Sequence, residues 1–140
     1  VLQTMLIPEH ITVNVQTKLP LLFGNTWRFK QVFQNLIENA VKYSNTDYGS
    51  VDLGYRDKGD YYEFFIADKG VGINSNYFNK IFKIFTKLES TGASSGIGLS
   101  IVKKIVNYYK GDIWVESQEG EGTTFTFTFL KKAVSKNLVS

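Results

Sequence analysis

The feature of the sequence that most constrains its fold is an apolar run that ends at an aspartate and a glycine-rich loop. Residues 61–67 have the length and the aromatic content that are typical of a buried strand. Asp68 follows directly, and a carboxylate at the end of such a strand is costly unless hydrogen-bond donors reach it. Gly70 and Gly72 come next, and glycines allow positive φ angles and a close approach of the backbone to a flat ligand. The stretch therefore predicts either a plain turn after a strand or one wall of a ligand pocket.

The composition narrows the class of protein. With 140 residues, the chain is long enough for one domain that buries about two-thirds of the surface of its unfolded state. It has no cysteine, which excludes a disulfide scaffold and a cysteine-based metal site. The 16 Lys and Arg residues against 13 Asp and Glu residues give a net charge of +3, spread along the chain. This mild excess does not indicate nucleic acid as a partner, although it suits an anionic ligand such as a nucleotide.

The sequence indicates neither a membrane span nor a signal peptide. No stretch approaches the ~20 apolar residues of a span, and the first residues lack the basic start of a signal peptide. Residues 1–8 resemble a linker or the end of a preceding helix, and residues 132–140 resemble a polar tail. We therefore expect one domain over residues 9–131, located in the cytoplasm and without direct membrane contact.

Alternating apolar and polar residues, together with the apolar run at residues 61–67, predict five strands. Their predicted ranges are residues 10–16, 51–56, 61–67, 112–117 and 123–130. The turn-rich residues 57–60 (DKGD) and 119–122 (EGEG) predict a hairpin between the second and third strands and another between the last two. In the last strand, Phe125, Phe127 and Phe129 are predicted to face the core, and the threonines between them to face outwards.

Residues 27–43 have the spacing of an amphipathic helix. Its apolar stripe consists of Phe29, Val32, Phe33, Leu36, Ile37, Ala40 and Val41. Four polar residues also line up on one side of this helix: Gln31, Asn35, Asn39 and Lys42. Asparagine is a mediocre helix former, but its amide oxygen can bind Mg²⁺, and a lysine one turn further can meet a phosphate. The alternative is an ordinary solvated helix face.

A second helix is predicted over residues 99–109, directly after the glycine-containing residues 92–98 (GASSGIG). Glycines before a helix leave its first N–H groups free for phosphate oxygens, although such loops precede many helices. The preceding residues 74–95 show little regular pattern, and a segment of this length predicts a lid that becomes ordered around a ligand. Phe82 and Phe85 either fix this lid to the domain or fill the core.

Four motifs stand in a fixed order, and together they resemble the catalytic ATP-binding domain of bacterial two-component sensor histidine kinases, within the GHKL superfamily. The N box is matched by residues 35–44 (NLIENAVKYS) and the G1 box by residues 68–73 (DKGVGI). The F box is matched by residues 81–85 (IFKIF) and the G2 box by residues 96–99 (GIGL). Residues 120–125 (GEGTTF) resemble the glycine-threonine strand that closes the domain. The joint match is specific, although each box alone is a weak signal.

The resemblance implies a two-layer α/β sandwich of the Bergerat type, in which three helices back a mixed sheet of about five strands. The ATPase domains of gyrase B, MutL and the heat-shock chaperones share this fold.

The resemblance also implies ATP and Mg²⁺ as cofactors and a role for each matching residue. Asn39 is the magnesium ligand, Asn35 assists at the metal and the phosphates, and Lys42 meets phosphate; these three form the predicted catalytic group. Asp68 accepts a hydrogen bond from the adenine amino group. The other predicted nucleotide contacts are Tyr43, Gly70, Gly72, Ile73, Phe82, Gly96, Ile97, Gly98, Leu99 and Thr124.

The implied chemistry is phosphoryl transfer by a domain that positions ATP and Mg²⁺. The acceptor histidine is expected on a dimerisation and phosphoacceptor domain of the same full-length kinase, with a response regulator downstream. His10, the single histidine, does not occupy the acceptor's place in the family pattern. The alternatives are an ATPase or a protein-serine kinase of the same superfamily, or a nucleotide-binding module without transfer activity.

Overall fold

The computed structural model describes residues 11–16, 25–42, 49–74, 76 and 97–134. Its strands are β1 (Ile11–Val15), β2 (Gly49–Asp57), β3 (Tyr61–Asp68), β4 (Ile113–Gln118) and β5 (Gly122–Leu130). Its helices are α1 (Thr26–Lys42) and α2 (Ile97–Tyr108), and one helical turn over residues 131–134 follows β5. Neither α1 nor α2 has the length and hydropathy that crossing a lipid bilayer requires.

The five strands form one mixed sheet in the order β1-β2-β3-β5-β4. β1 and β2 are parallel, and the other pairs are antiparallel. A parallel pair needs a crossover connection, and α1 lies in that connection. Both long helices cover one face of the sheet, so the predicted two-layer α/β fold with a mixed five-stranded sheet is confirmed.

Helix α1 begins at Thr26, one residue before the predicted start, and Asn25 caps it. The side-chain Oδ1 of Asn25 accepts a hydrogen bond from the amide of Arg28 at 3.2 Å, which satisfies one of the free N–H groups of the first turn. Further along, the predicted apolar stripe is buried against the sheet from Phe29 to Ala40. Phe33 packs edge-on against Phe64 and Phe127, with ring centroids 5.4 Å away in each case. Each fully buried phenylalanine contributes about 1.5–3 kcal/mol, so these contacts fix α1 on the sheet.

The two helices run in opposite directions across the sheet. The guanidinium of Arg28, at the start of α1, lies 4.0 Å from the ring centroid of Tyr108, at the end of α2. Further along α1, Asn35 lies close to Gly98 at the start of α2. A Cβ atom at Gly98 would be only 3.0 Å from Oδ1 of Asn35. The first turn of α2 therefore lies against the middle of α1.

The packed part of the chain extends past the boundary predicted at residue 131. Residues 131–134 form a helical turn, and Val134 is buried with 4% of its surface exposed. The Nζ of Lys131 contacts Oδ1 of Asp57 at 2.7 Å, which ties the turn to the β2–β3 hairpin. The polar tail predicted from residue 132 thus includes apolar side chains that join the core, which the polar composition of the region obscures.

Candidate functional site

Asp68 lies at the end of β3, half-buried and held by backbone donors. Its Oδ1 accepts a hydrogen bond from the amide of Gly70 at 2.8 Å. The amide of Thr123, which stands opposite Asp68 on β5, also donates to the carboxylate. Burial raises the pKa of Asp68 above the ordinary 3.8, and the two amide donors oppose that rise. The ionised group accepts only, so it suits a ligand that presents a hydrogen-bond donor.

The loop after Asp68 is fixed by the turn between β4 and β5, which we call the brace turn (residues 117–122). Gly72 has a φ of 78°, and a side chain there would overlap the carbonyl oxygen of Gln118. The amide of Gly120 donates to the carbonyl oxygen of Val71 at 2.8 Å. Gly122 has a φ of 124°, and a side chain on it would overlap backbone atoms at the end of β3. The glycines therefore allow two backbone segments to lie closer than any other residue permits.

Two side chains of the brace turn add hydrogen bonds to the loop. Oγ of Ser117 accepts from the amide of Ile73 at 2.7 Å. Oε1 of Glu119 accepts from Nδ2 of Asn74. Ile73 is itself buried in the core, so the loop is anchored at its far end as well as at Asp68.

Replacing Gly72 with Ala is expected to lower the free energy of unfolding by about 2–4 kcal/mol, because the new Cβ meets backbone that cannot rotate away. Gly59 is a matched control: its φ is 86°, but nothing lies within 4 Å of an added Cβ. Gly59→Ala should therefore show only the cost of the positive φ, about 1–2 kcal/mol. Urea unfolding of both variants measures the difference. Equal losses would contradict the close approach of the loop to the brace turn.

A second group of polar side chains, Asn35 and Asn39, lies on the second half of α1. Nδ2 of Asn35 donates to the carbonyl oxygen of Gln31 at 2.7 Å, so the amide oxygen of Asn35 faces the other way, towards Gly98. Asn39, one turn further, is buried with 7% of its surface exposed. Because Gly98 has no side chain, the oxygen of Asn35 lies directly against the first turn of α2, whose N–H groups favour anions.

This arrangement fits a hard cation that accompanies an anionic ligand. Among the described residues, no group of three or more His, Cys, Asp or Glu side chains is placed to hold a metal ion. A cation here would depend on amide oxygens from Asn35 and Asn39 and on oxygens of the ligand itself. That donor set suits Mg²⁺, which keeps several waters and is bound through few protein groups when phosphates are present.

The two groups lie at the same end of the sheet. Helix α1 ends at Lys42, β2 begins at Gly49, and Val51 near the start of β2 pairs with Asp68. The half of α1 that carries Asn35 and Asn39 therefore precedes a short connection to the strand beside Asp68. The carboxylate of Asp68 lies at one side of the site, and the loop of residues 69–73, which we call the glycine loop, is fixed beside it. At the other side lie the amide oxygens of Asn35 and Asn39 and the N-terminus of α2.

Most predicted site residues within the described ranges belong to this region. Gly70, Ile73 and Leu99 are buried there, and Gly70 donates to Asp68. The structure does not bring Thr124 to the carboxylate, since Thr124 pairs with Ala67 and lies on the other face of the sheet. Thr123 lies on the face of Asp68 instead. The alternation that places Phe125 in the core also places Thr123 on that face, so the sequence contained this signal.

Several predictions fall outside what the structure describes. These are Tyr43, Phe82, Gly96 and most of the predicted lid, residues 74–95, of which only 74 and 76 are described. For Lys42 and Ile97 the backbone is described and the side chain is not. Their roles stay predictions.

Residues 24–133 match the sequence profile of the family described as Histidine kinase-, DNA gyrase B-, and HSP90-like ATPase. Among curated proteins, the chain is similar to Cyanobacterial phytochrome B of Nostoc sp. (strain PCC 7120 / SAG 25.82 / UTEX 2576), with 38% identity over 122 residues. The alignment covers 84% of this chain and 16% of that protein, so the chain spans about a sixth of the relative's length.

Two solved structures share the fold. The catalytic domain of histidine kinase ThkA, in a nucleotide-free form, superposes with a TM-score of 0.72 at 27% identity, over 87% of this chain and 80% of that one. Full-length ShkA in complex with AMPPNP superposes with a TM-score of 0.71 at 29% identity, over 86% of this chain and 26% of that one.

Proposed function

The chain belongs to the family of histidine kinase-, DNA gyrase B- and HSP90-like ATPases, and from that premise we propose that it binds ATP with Mg²⁺ and transfers the γ-phosphoryl group to a histidine. The acceptor histidine lies on a separate dimerisation domain of the full-length kinase. A response regulator then receives the phosphoryl group, and the domain works in the cytoplasm.

The observation that carries the proposal is the half-buried carboxylate of Asp68 beside a loop fixed by glycines. A carboxylate in this position is stabilised when a ligand brings a donor to it, and the exocyclic amino group of adenine is such a donor. The close approach of the loop to the brace turn at Gly72 holds the loop in place beside that carboxylate. ShkA, which has a similar fold, binds the ATP analogue AMPPNP.

The phosphate end of the nucleotide lies between the two helices in this proposal. Asn39 and Asn35 ligate Mg²⁺ through their amide oxygens, Lys42 meets a phosphate, and the N–H groups of the first turn of α2 bind phosphate oxygens. When bound, Mg²⁺ neutralises charge that develops on the phosphoryl group during transfer. The residues of this chain therefore orient the nucleotide and bind its charge, and they form no covalent bond with it.

Transfer to histidine is favoured over hydrolysis because of the chemistry of Asn35. In the hydrolysing relatives, the family pattern implies a glutamate one turn before the metal-binding asparagine, where it activates water. Asn35 occupies that place here, and an amide cannot act as a general base. Its Nδ2 is also committed to the carbonyl oxygen of Gln31. An ATPase would instead hydrolyse ATP without a partner, and a serine kinase would label serine.

Replacing Asn39 with Ala tests the magnesium site. Mg²⁺ should raise the ATP affinity of the variant about tenfold less than it raises that of the wild type. The affinity measured in excess EDTA should change little, because only the metal loses a ligand. Gln34 is the control on the same helix: its side chain bonds to Glu38 at the surface, and Gln34→Ala should keep the full magnesium effect. Calorimetric titration with and without Mg²⁺ gives both affinities. A magnesium effect that survives in Asn39→Ala would contradict this assignment.

A further inference from the structure

The hydroxyl of Ser117, at the start of the brace turn, makes three hydrogen bonds. Its Oγ lies 2.7 Å from the amide of Ile73, 2.9 Å from the carbonyl oxygen of Gly122 and 2.7 Å from Oγ1 of Thr123. Ser117 is half-buried on β4, and Thr123 is buried with 5% of its surface exposed. One side chain therefore connects the glycine loop, the turn and the last strand.

The three residues Ser117, Thr123 and Asp68 form a row across the sheet. Ser117 pairs with Thr123 in the β4–β5 ladder, and Thr123 pairs with Asp68 in the β3–β5 ladder. Directly opposite residues of neighbouring strands place their side chains on the same face. This row lies on the helix-covered face, because Phe125 and Ile66, two residues along, are buried on that face.

The contacts of Ser117 decide where the hydroxyl protons lie. A serine hydroxyl has one proton and two acceptor positions. The amide of Ile73 can only donate, so it takes one acceptor position, and the carbonyl oxygen of Gly122 can only accept, so it takes the proton. All three contacts are satisfied only when Thr123 donates its own proton to Ser117. The hydroxyl oxygen of Thr123 then has only acceptor positions left.

We propose that Ser117 is a positioning residue for the base pocket, by which we mean the pocket beside Asp68 and Thr123 that receives the purine. By holding the proton of Thr123, Ser117 leaves only hydrogen-bond acceptors there, so the pocket accepts a purine with an amino group and rejects one with a keto oxygen. This inference rests on the proposed function, in which the site binds a purine nucleotide. With the proton of Thr123 committed to Ser117, both Thr123 and the carboxylate of Asp68 are acceptors. Any group of the base that meets the hydroxyl oxygen of Thr123 must therefore donate to it.

The test compares ATP with inosine triphosphate, which carries a keto oxygen in place of the adenine amino group. Ser117→Ala frees the hydroxyl proton of Thr123, which can then donate to a keto group. We expect the ratio of the two dissociation constants, inosine triphosphate over ATP, to fall about fivefold. A purely structural role would weaken both nucleotides equally and leave the ratio unchanged. An unchanged ratio would overturn the inference.

Two further comparisons complete the experiment. Glu119→Ala removes the other side-chain link of the brace turn, to Asn74, without touching the hydroxyl row, so it should weaken both nucleotides by the same factor. A fall of the ratio in Glu119→Ala equal to that in Ser117→Ala would overturn the inference. Thr123→Val should lower the ratio and Thr123→Ser should keep it, because only serine retains the hydroxyl that bonds to Ser117. Equal ratios in the two variants would overturn the inference.

The outcome also separates this inference from the proposed function. A wild-type chain that binds neither nucleotide overturns both. A wild-type chain that prefers ATP, together with a Ser117→Ala variant that keeps the same preference, overturns only the role of Ser117.

Discussion

Asp68→Asn is expected to weaken ATP binding about tenfold or more, equivalent to about 1.4 kcal/mol. The native carboxylate accepts from the amide of Gly70 and has acceptor positions left for the ligand. An asparagine in its place has one oxygen and one NH₂ group. If the oxygen keeps the bond to Gly70, the NH₂ group faces the amino group of adenine, and two donors then oppose each other. Displacement of a fluorescent nucleotide measures the change.

Asp52→Asn is the control for this experiment. Asp52 pairs with Ala67 on the other face of the sheet, where its Oδ1 accepts from the side chains of Asn14 and Gln16. The same loss of charge at that position should leave ATP affinity within about twofold, because exposed charges act weakly at a distance. If Asp68→Asn also leaves the affinity unchanged, the assignment of Asp68 to the base pocket fails.

The second large effect concerns the phosphoacceptor. Incubated with ATP, this chain alone should acquire no acid-labile label, whereas a separately supplied dimerisation domain should be labelled on its histidine. Transfer in trans should be slow, because loss of the covalent tether lowers the acceptor's effective concentration from roughly millimolar to the concentration added. Acid-labile and alkali-stable radioactivity, followed over time on both chains, measures the transfer.

His10 is the control residue for this prediction, as the single histidine of the chain. His10 itself lies outside the described residues, and β1, which begins at Ile11, lies at one side of the sheet. However, the register places Val13 beside Val51 and Val51 beside Asp68, so β1 passes about 10 Å from Asp68 at the same end of the sheet. Label on this chain that disappears in His10→Ala would show that the acceptor lies within these 140 residues.

The elements that the sequence predicted best are those with strong local periodicity. The stripe from Phe29 to Ala40 and the inward phenylalanines of β5 are buried as predicted, because a helix or strand with one apolar face has only one way to bury it. The position of Asp68 at a strand end followed from the same pattern. The resemblance of the motif order then supplied the mixed topology, which periodicity alone does not give.

What the sequence did not reveal depends on contacts between distant residues. Ser117 and Ile73 are 44 positions apart, and nothing local to either residue indicates that a serine hydroxyl supports the glycine loop. Thr124 was the predicted nucleotide contact, but the register places Thr123 on the face of Asp68, because one residue along a strand changes the face of the sheet. The motif located the segment, whereas strand pairing decided which threonine lies on the same face of the sheet as the carboxylate.

Calorimetric titration of the chain with AMPPNP tests the central claim, that this domain binds ATP with Mg²⁺, most directly. We expect saturable binding of one nucleotide per chain. The affinity should rise when Mg²⁺ is added and fall when Asp68 is replaced by Asn. Two negative results from a folded chain would together contradict ATP binding. The titration would give no binding heat at several temperatures, with and without Mg²⁺, and the nucleotide would not shift the thermal unfolding of the chain.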